Sequence, residues 1–444
     1  MTNRSVDTRE AVFDGLIAIL EKGQYSHIVI SQILNKYSYL EKQDRAFITR
    51  LMSGVLENLY LLDDIIDTHS KTKTIKMKPV IRMILRMGVY QIYFMDGVKN
   101  FAAINEAVNL AKKRGFKNLA GFVNGVLRSV ERCFSDYSLP DKLSIRYSMP
   151  EWLISTWTNA YGTEKTEEII KGFSKGEGVV ARMNLSKGKS REEILNALKE
   201  ENISYSEVKE LPEAIILTGF DALSDITMFS EGYIIAQDIS SMLVAHAAAP
   251  KQGDNVLDVC AAPGGKSLHI ADMLNGSGHV EARDKTEYKA DLIRENLFKT
   301  GFENMSVEVW DATEPDNSLN EKLDIVIADL PCSGLGVLGK KPDIRYRVKK
   351  EDLASLVSLQ REILSSVWKY VKVGGYLIYS TCTINPEENE NNVKWITEQF
   401  PFELTGFEGD MPYVSDDERL KGMVQIFPNE NTDGFFIARL KRIG

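Results

Sequence analysis

The chain has 444 residues, 43% of them hydrophobic and 26% charged, which is the composition of a soluble globular protein with several cores. No run approaches the ~18 apolar residues of a membrane span. The first residues, MTNRSVDTREAVFDG, lack a secretory pattern, so we predict a cytoplasmic protein without membrane partners. The net charge of −9 argues against a protein that binds nucleic acid over its whole surface.

The four cysteines, Cys133, Cys260, Cys332 and Cys382, stand far apart and form no CxxC pair. This spacing argues against a disulfide framework and against a zinc site, and we expect no metal. Each cysteine is then either a small core residue or a reactive thiol, and the first is the commoner case.

Residues 1–140 are predicted to form an all-α domain. Segments such as TREAVFDGLIAILEKG and PVIRMILRMGVYQIYFM repeat apolar residues at spacings of three and four, with breaks at Gly, Pro or Asp. The polar stretch SDYSLPDK (135–142) predicts a linker. Nothing in this domain has the pattern of a catalytic site.

Residues 141–235 are predicted to form a small α/β domain. VVARMNL (179–185) and EAIILTG (213–219) have the composition of strands, and SREEILNALKEEN (190–202) has that of a capped helix. The motifs of this domain are weak.

Residues 236–444 alternate between strands and helices, which predicts a doubly wound, Rossmann-like domain with a mostly parallel sheet. Two late runs, MVQIFP (423–428) and GFFIARL (434–440), predict an antiparallel hairpin at the sheet edge. The parallel strands are predicted at 255–260, 278–283, 305–310, 323–329 and 374–381.

The loop DVCAAPGGKS (258–267) joins the first of these strands to a helix. It matches the phosphate-binding pattern GxxxxGK[ST] except that Cys260 replaces the first glycine. Pro263 has no N–H and so removes one amide from a phosphate cradle. A nucleotide hydrolase is therefore the weaker of two interpretations, and the other is a loop that lies beside a different ligand.

Acidic residues at successive strand ends favour that other ligand. Asp284, Asp311 and Asp329 each follow a predicted strand, and ligands of open parallel sheets bind at the carboxyl ends of strands. Asp284 stands eighteen residues after Lys266, where an acid can bind ribose hydroxyls. Carboxylates would repel a triphosphate, whereas S-adenosylmethionine carries a ribose and a sulfonium cation. Any single one of these acids could also be an ordinary turn residue.

Two cysteines also follow strand ends, in DLPCSGLGVLGKKPD (329–343) and YSTCTINPEENE (379–390). A thiolate that adds to carbon 6 of cytosine makes carbon 5 nucleophilic, so that carbon 5 can attack a sulfonium methyl group. An acid against ring N3, such as Asp329, would stabilise the adduct. Chemistry alone does not exclude that Cys332 and Cys382 are simply buried small residues.

At these residues the sequence resembles the RNA 5-methylcytosine methyltransferases of the NOL1/NOP2/Sun family. DVCAAPGGKS, DLPCSGLGVL, YSTCTINPEENE and DGFFIARLKR match four of its motifs in the same order. The resemblance implies that Cys382 is the nucleophile and that Cys332 assists product release. In DNA cytosine methyltransferases the cysteine of the "PC" motif attacks, and spacing alone does not choose between the two.

The same resemblance implies an S-adenosylmethionine pocket. Asp284 would bind the ribose, Asp311 would lie beside the adenine, and Asp329 would contact both the donor and the base. Arg283, just before the ribose acid, departs from the apolar residue usual in the family, and Glu281 is the fallback if the strand is shifted. The loop residues assigned to the pocket are Cys260, Ala261, Ala262, Pro263, Gly264, Gly265 and Lys266.

The N-terminal domain adds a second resemblance, because AAINEAVNLAKKRGFKNLAGFVNGVLRSV (102–130) is similar to the helical RNA-binding fold of NusB. A NusB-like domain before this catalytic domain implies a bacterial enzyme, expected to be a monomer, that methylates carbon 5 of a cytidine in 16S rRNA. The substrate is either naked 16S rRNA or an assembling small subunit. The same chemistry on 23S rRNA or tRNA, and a non-catalytic RNA-binding or assembly protein, are the alternatives.

Three basic runs are candidates for holding the RNA: KTKTIKMK (71–78), AKKRGFKN (111–118) and GKKPDIRYRVKK (339–350). A solvated helix face is the alternative for any one of them. The last run holds six basic residues against one acid, with Tyr346 as a stacking candidate. The predicted RNA contacts in it are Lys340, Lys341, Arg345 and Arg347.

Overall fold

The chain divides into two units. The computed structural model describes residues 7–134, 137–174, 176, 178–409 and 411–444. The first unit runs to Asn159 and also includes Lys340–Val348, and the second comprises Ala160–Gly339 and Lys349–Gly444. The predicted linker at 135–142 begins with residues 135 and 136, which lie outside the described residues, and its remainder belongs to the first unit.

The first unit is built from helices around one core. Its central helix α5 begins at Pro79, a residue favoured at a first helical position, and it packs against α1, α3, α4, α6 and α7. A side chain at Gly54 of α3 would overlap the ring of Tyr90 on α5, so glycine permits this close packing. The helices are α1 (Thr8–Leu20), α2 (Ser26–Lys36), α3 (Lys42–Glu57), α4 (Leu59–His69), α5 (Pro79–Phe94), α6 (Asn100–Lys113), α7 (Ala120–Arg132), α8 (Leu143–Arg146) and α9 (Glu151–Tyr161), which ends just past the boundary.

The second unit begins with a four-stranded antiparallel sheet in the order β2-β3-β1-β4. Ser190 caps α11 and Glu193 completes a capping box, as the sequence predicts. Two short strands of this sheet, β2 and β4, are not predicted by the sequence. The elements are α10 (Thr163–Gly172), β1 (Val179–Met183), α11 (Arg191–Glu200), β2 (Ser204–Glu207), β3 (Ala214–Thr218), α12 (Thr227–Ser230) and β4 (Ile234–Ala236).

The rest of the second unit is a larger sheet flanked by helices. Its main path has the order β10-β12-β9-β8-β5-β6-β7, with β11 paired to β12. The elements are α13 (Ile239–Ala248), β5 (Asn255–Asp258), α14 (Gly265–Leu274), β6 (His279–Asp284), α15 (Glu287–Thr300), β7 (Met305–Val309), β8 (Leu323–Asp329), α17 (Asp352–Val367), β9 (Val371–Thr381), α18 (Glu390–Gln399), β10 (Phe402–Leu404), α19 (Asp416–Lys421), β11 (Met423–Ile426) and β12 (Phe435–Arg442); α16 (Ile344–Arg347) belongs to the first unit.

The topology of this sheet places a ligand crevice at the end of β5. Strands β9, β8, β5, β6 and β7 are parallel. β5 lies between β6, which is the next strand in the chain, and β8, which comes later in the chain. The strand order therefore reverses beside β5, which is where doubly wound sheets bind ligands. The predicted hairpin is present, with Met423 opposite Ala438, and the predicted fold class is confirmed.

Among the described residues, the helices are all too short or too polar to cross a bilayer.

Candidate active site

The backbone N–H groups of the glycine-rich loop after β5 donate to acceptors within the protein. The N–H of Ala261 donates to the Arg283 carbonyl (2.8 Å), that of Ala262 to Asp284 Oδ2 (3.1 Å) and that of Gly264 to the Ala261 carbonyl (2.7 Å). The N–H groups of residues 259 and 260 also have protein acceptors. Pro263 has no N–H, so residues 259–264 offer no amide to a phosphate, and the nucleotide-hydrolase interpretation loses its support.

Lys266 is bound to an acid instead of being placed for a phosphate. Its Nζ lies 2.7 Å from Asp329 Oδ2, and Ser380 donates to Asp329 Oδ1 at 2.9 Å. Burial lowers the pKa of Lys266, but attraction to Asp329, Asp258 and Cys382 outweighs burial and raises it overall. The lysine therefore stays charged beside the end of β8.

The predicted ribose and adenine acids lie at the ends of β6 and β7. Asp284 is buried, and its carboxylate accepts hydrogen bonds from Ala262 N–H and from Lys285 N–H (2.8 Å). Asp311 pairs with Lys285 Nζ at 2.8 Å, and this hydrogen bond lowers the pKa of Asp311. Both acids therefore stand at the carboxyl ends of neighbouring parallel strands, where the crevice is predicted.

Arg283 does not disturb this arrangement. Its guanidinium pairs with Glu281 at 2.5 Å and with Asp316 at 2.9 Å and lies over the Trp310 ring. Because alternate residues of a strand point to opposite faces, Arg283 and Glu281 share a face that Asp284 does not. Asp284, rather than Glu281, therefore contacts the glycine-rich loop.

The two cysteines after β8 and β9 meet. Cys332 Sγ lies 3.3 Å from Cys382 Sγ, and neither residue is fully buried. The loop that carries Cys332 is bound to strand ends, because Gly336 N–H donates to the Cys382 carbonyl (3.0 Å) and Gly434 N–H to the Gly336 carbonyl (2.8 Å). The structure therefore brings together Lys266, the pair Asp329 and Cys332, and Cys382, which lie on three separate segments of the chain.

Comparison with known proteins identifies the chain. The family model for the 16S rRNA methyltransferase RsmB/F matches residues 245–441, the NusB family matches 6–132, and the ferredoxin-like domain of RsmF/B-like methyltransferases matches 149–223. The chain is 35% identical to the probable ribosomal RNA small subunit methyltransferase B of Bacillus subtilis, over 99% of this chain and 100% of that one.

Other relatives agree. The corresponding Synechocystis protein is 34% identical over 98% of this chain and 100% of its own. The crystal structure of PH0851 is 25% identical with a TM-score of 0.82, and it covers 98% of both chains. A methyltransferase homologue from Pyrococcus horikoshii is 27% identical with a TM-score of 0.58, over 67% of this chain and 97% of that one.

The chain belongs to the RsmB/F methyltransferase family. It is an RNA methyltransferase that uses S-adenosylmethionine, and the family predicted from the sequence is confirmed. The residues of the RsmB/F crevice fit this cofactor. The side chains of Asp284, Asp311 and Asp329, and a loop whose N–H groups already have acceptors, suit a cationic ligand with a ribose better than a polyphosphate. Gly264 has φ 101°, and a Cβ there would lie 3.1 Å from Ile293, so the loop needs glycine at this turn.

Glu388 is a residue of the RsmB/F site that the sequence analysis did not assign, although it lies in the motif YSTCTINPEENE. It is fully buried and accepts hydrogen bonds from Ser333 N–H (2.9 Å), Ser333 Oγ (2.5 Å), Asn385 Nδ2 (2.9 Å) and Gln360 Nε2 (3.1 Å). Its carboxylate therefore fixes the loop that carries Cys332. The signal that was available is its position six residues after Cys382 in the same motif.

Burial changes the acidity of three further groups in the RsmB/F site. It raises the pKa of Asp258 to about 7, although Ser267 Oγ donates to this carboxyl at 2.7 Å. Burial, with nearby Asp258 and Asp284, raises the pKa of Cys260 above the thiol range, so Cys260 stays a thiol. The hydrogen bond with Cys382, burial and nearby Glu388 raise the pKa of Cys332.

One part of the predicted RNA surface is wrong. Arg345 is 5% exposed, and its Nη1 faces the carbonyl oxygens of Tyr147 (3.3 Å) and Glu57 (3.5 Å) within the first unit. Tyr346 is also inside this unit and donates to the Leu56 carbonyl at 2.8 Å. Both side chains are occupied by the helical core, so neither is available to RNA.

Of the other predicted RNA contacts in the run, Arg347 is also held within the first unit, whereas the two lysines are not buried. The guanidinium of Arg347 lies 3.9 Å from the centre of the Tyr25 ring and 3.7 Å from Asp343, so it is held by the first unit. Lys340 is exposed and Lys341 is half-buried. The lysines therefore remain the RNA candidates of this segment.

Proposed function

We propose that this enzyme methylates carbon 5 of one cytidine in 16S rRNA through a covalent bond between Cys382 and the base. The observation that carries the proposal is the approach of Cys332 and Cys382 to 3.3 Å at the ends of adjacent parallel strands, beside the ion pair of Lys266 and Asp329. A thiol beside a donor pocket is what activation of a cytosine ring requires.

The two thiols have different electrostatic surroundings, and the difference supports Cys382 as the nucleophile. Cys382 contributes to the raised pKa of Lys266, so the same attraction stabilises a thiolate at Cys382. Cys332 faces the carboxylate of Glu388, which disfavours a thiolate there. These surroundings favour Cys382 as the nucleophile and Cys332 as the thiol that assists release, which are also the roles that the family resemblance implies.

The proposed reaction adds the thiol to the ring and later eliminates it. Cys382 Sγ, as the thiolate, bonds to carbon 6, and the electron pair of the 5,6 double bond makes carbon 5 nucleophilic. Bound S-adenosylmethionine would supply the methyl group that carbon 5 takes, and S-adenosylhomocysteine would be the leaving group. Loss of the carbon 5 proton to a base re-forms the double bond and expels Cys382 as the thiolate, and Cys332 assists this release.

The remaining predicted residues bind and orient in this proposal. Asp329, held by Lys266 and Ser380, contacts both the methyl donor and the base. Asp284 binds the ribose and Asp311 lies beside the adenine. The side chains and carbonyl groups of residues 260–266 line the pocket. The target base has to leave its stack to reach Cys382.

RNA outside the pocket is held by the basic segments, with Lys340 and Lys341 nearest in sequence to Cys332. We place the reaction in the cytoplasm, with a monomeric enzyme, on naked or partly assembled 16S rRNA. Replacing both lysines by glutamine is expected to weaken RNA binding and to reduce its salt dependence.

The test of the function is methyl transfer from labelled S-adenosylmethionine to separated 16S rRNA, 23S rRNA and tRNA, followed by nucleoside analysis. The expected result is label in 5-methylcytidine of 16S rRNA alone. Label in 5-methylcytidine of another RNA would keep the chemistry and reject the target. A lack of label in all three and in intact small subunits would favour the non-catalytic RNA-binding alternative.

A further inference from the structure

Three potential metal ligands meet in the second unit, away from the thiols. Glu213 precedes β3, His246 lies on α13 and His269 lies on α14, and one ligand atom from each falls within 4.8 Å of the others. His246 Nε2 is 2.6 Å from Glu213 Oε1, and His269 Nε2 is 3.8 Å from the same oxygen. The three residues are separated by more than twenty positions from one another in the sequence, so they do not form a recognisable sequence motif.

His269 is the unusual member of this cluster. It is 3% exposed, and its Nδ1 has no hydrogen-bond partner among the described residues. Its Nε2 points at Glu213 from a distance too long for a hydrogen bond. Buried polar groups are nearly always satisfied, and a metal ion bound at Nε2 would supply a partner on the side of the ring that lies towards Glu213.

A buried cation near the cluster has an acid of its own. Arg182 of β1 is fully buried, and its Nη1 lies 3.1 Å from Asp272 Oδ2. Its Nε donates to Gln237 Oε1 at 2.9 Å. Asp272, and not Glu213, is therefore the acid that forms the ion pair with Arg182.

We propose that Glu213, His246 and His269 bind a divalent transition-metal ion of the zinc type, which links the four-stranded sheet to the helix that follows the glycine-rich loop. Two histidines and a glutamate are an established zinc ligand set. Tetrahedral coordination at ~2.0 Å separates ligand atoms by roughly 3.3 Å, a value between the observed 2.6 Å and 3.8 Å.

The surroundings leave a fourth position. The side chains of His246 and Glu213 are 25% and 14% exposed, whereas His269 closes the inner side. An ion can enter from solvent and keep one water ligand, with small side-chain movements that replace the hydrogen bond between His246 and Glu213. The cysteine spacing predicts no metal, whereas the ligands proposed here are two histidines and a glutamate.

The test is titration of the full-length, metal-free protein with Co²⁺, followed by competition with Zn²⁺. We expect one Co²⁺ per chain with the visible spectrum of a four-coordinate site of nitrogen and oxygen ligands, and displacement by Zn²⁺. A spectrum with thiolate charge-transfer bands would place the metal at Cys332 and Cys382 and overturn the proposal, as would the absence of binding.

Variants locate the ion. His246→Gln removes a partly exposed ligand and is expected to weaken Co²⁺ binding at least tenfold, and Glu213→Gln likewise. His279→Gln is the control, because His279 lies on β6 and its Nε2 contacts Ser306 Oγ at 2.7 Å instead of joining the cluster. Zn²⁺ should raise the thermal unfolding midpoint of the wild type and of His279→Gln but not of His246→Gln. Equal binding by all three proteins would refute the site.

Discussion

At the scale of single residues, the two thiols differ in the charges around them although their sulfur atoms are 3.3 Å apart. Cys382 lies near the ammonium of Lys266 and Cys332 near the carboxylate of Glu388. The sequence places both cysteines after strand ends but does not distinguish them, because the charges come from distant parts of the chain. The structure supplies the asymmetry, and it predicts different outcomes for the two variants.

Cys382→Ala is expected to abolish turnover and to form no covalent complex with RNA. Cys332→Ala is expected to keep the nucleophile, slow product release and accumulate an enzyme–RNA adduct. Denaturing gel electrophoresis with labelled RNA measures both. An adduct that appears with Cys382→Ala and not with Cys332→Ala would reverse the assigned roles.

Lys266→Met is expected to lower kcat at pH 7 by at least tenfold, because it removes the cation that stabilises the Cys382 thiolate. The deficit should shrink as pH rises, since hydroxide then forms the thiolate without help. Lys372→Met is the control, because this lysine forms a comparable 2.9 Å pair with Asp324 elsewhere in the sheet. A deficit that is equal at every pH would mean that Lys266 serves only cofactor binding.

Asp258 makes a prediction about stability. Its pKa is raised by burial to about 7 in the folded protein, so between pH 4 and 7 the folded state binds a proton that the unfolded state has lost. This proton makes stability fall with rising pH by up to about 1.4 kcal/mol per unit. Asp258→Asn removes the effect and keeps a partner for Ser267. The stability of the wild type relative to this variant should therefore decrease from pH 5 to 7 in urea unfolding; a constant difference would contradict it.

At the scale of elements, the buried parallel strands and the closing hairpin are predictable because their apolar runs are long. The strands that escape prediction are short: β4 has three residues, β10 has three and β2 is a mostly exposed edge. The predicted RNA contact at Arg345 is wrong because a run of basic residues is typical of an exposed surface, whereas the helical core of the first unit covers this side chain. The hydrogen bonds of the glycine-rich loop could not be predicted from the sequence either, because several of their acceptors lie on β6 and β8.

The loop between β8 and α16 makes a prediction at this scale. A Cβ at Gly336 would come within 1.9 Å of the Gly434 carbonyl oxygen and 2.8 Å of the Cys382 carbonyl oxygen. Gly336→Ala is therefore expected to displace Cys332 and reduce kcat at least tenfold while the far-ultraviolet circular dichroism is retained. Gly97→Ala, where the added methyl meets open space, is the control. Normal activity of Gly336→Ala would show that the loop tolerates the shift.

At the scale of the whole molecule, the chain leaves the second unit after Gly339, belongs to the first unit over Lys340–Val348 and returns at Lys349. In this segment Arg345 is buried and Tyr346 is partly buried within the first unit. A fragment that begins at Ala160 lacks those packing partners. Trypsin should then cleave after Arg345 rapidly in the fragment and slowly in the full chain, as mass spectrometry of the peptides would show. Equal rates would mean that the segment does not depend on the helical unit.

The loop from Val259 to Gly264 is bonded entirely to the protein's own acceptors, so it keeps its shape whether or not anything is bound. Exchange of a spent donor molecule for a fresh one then involves no refolding of this backbone. We therefore expect the amide hydrogens of this loop to exchange with deuterium equally slowly whether or not the donor molecule is bound.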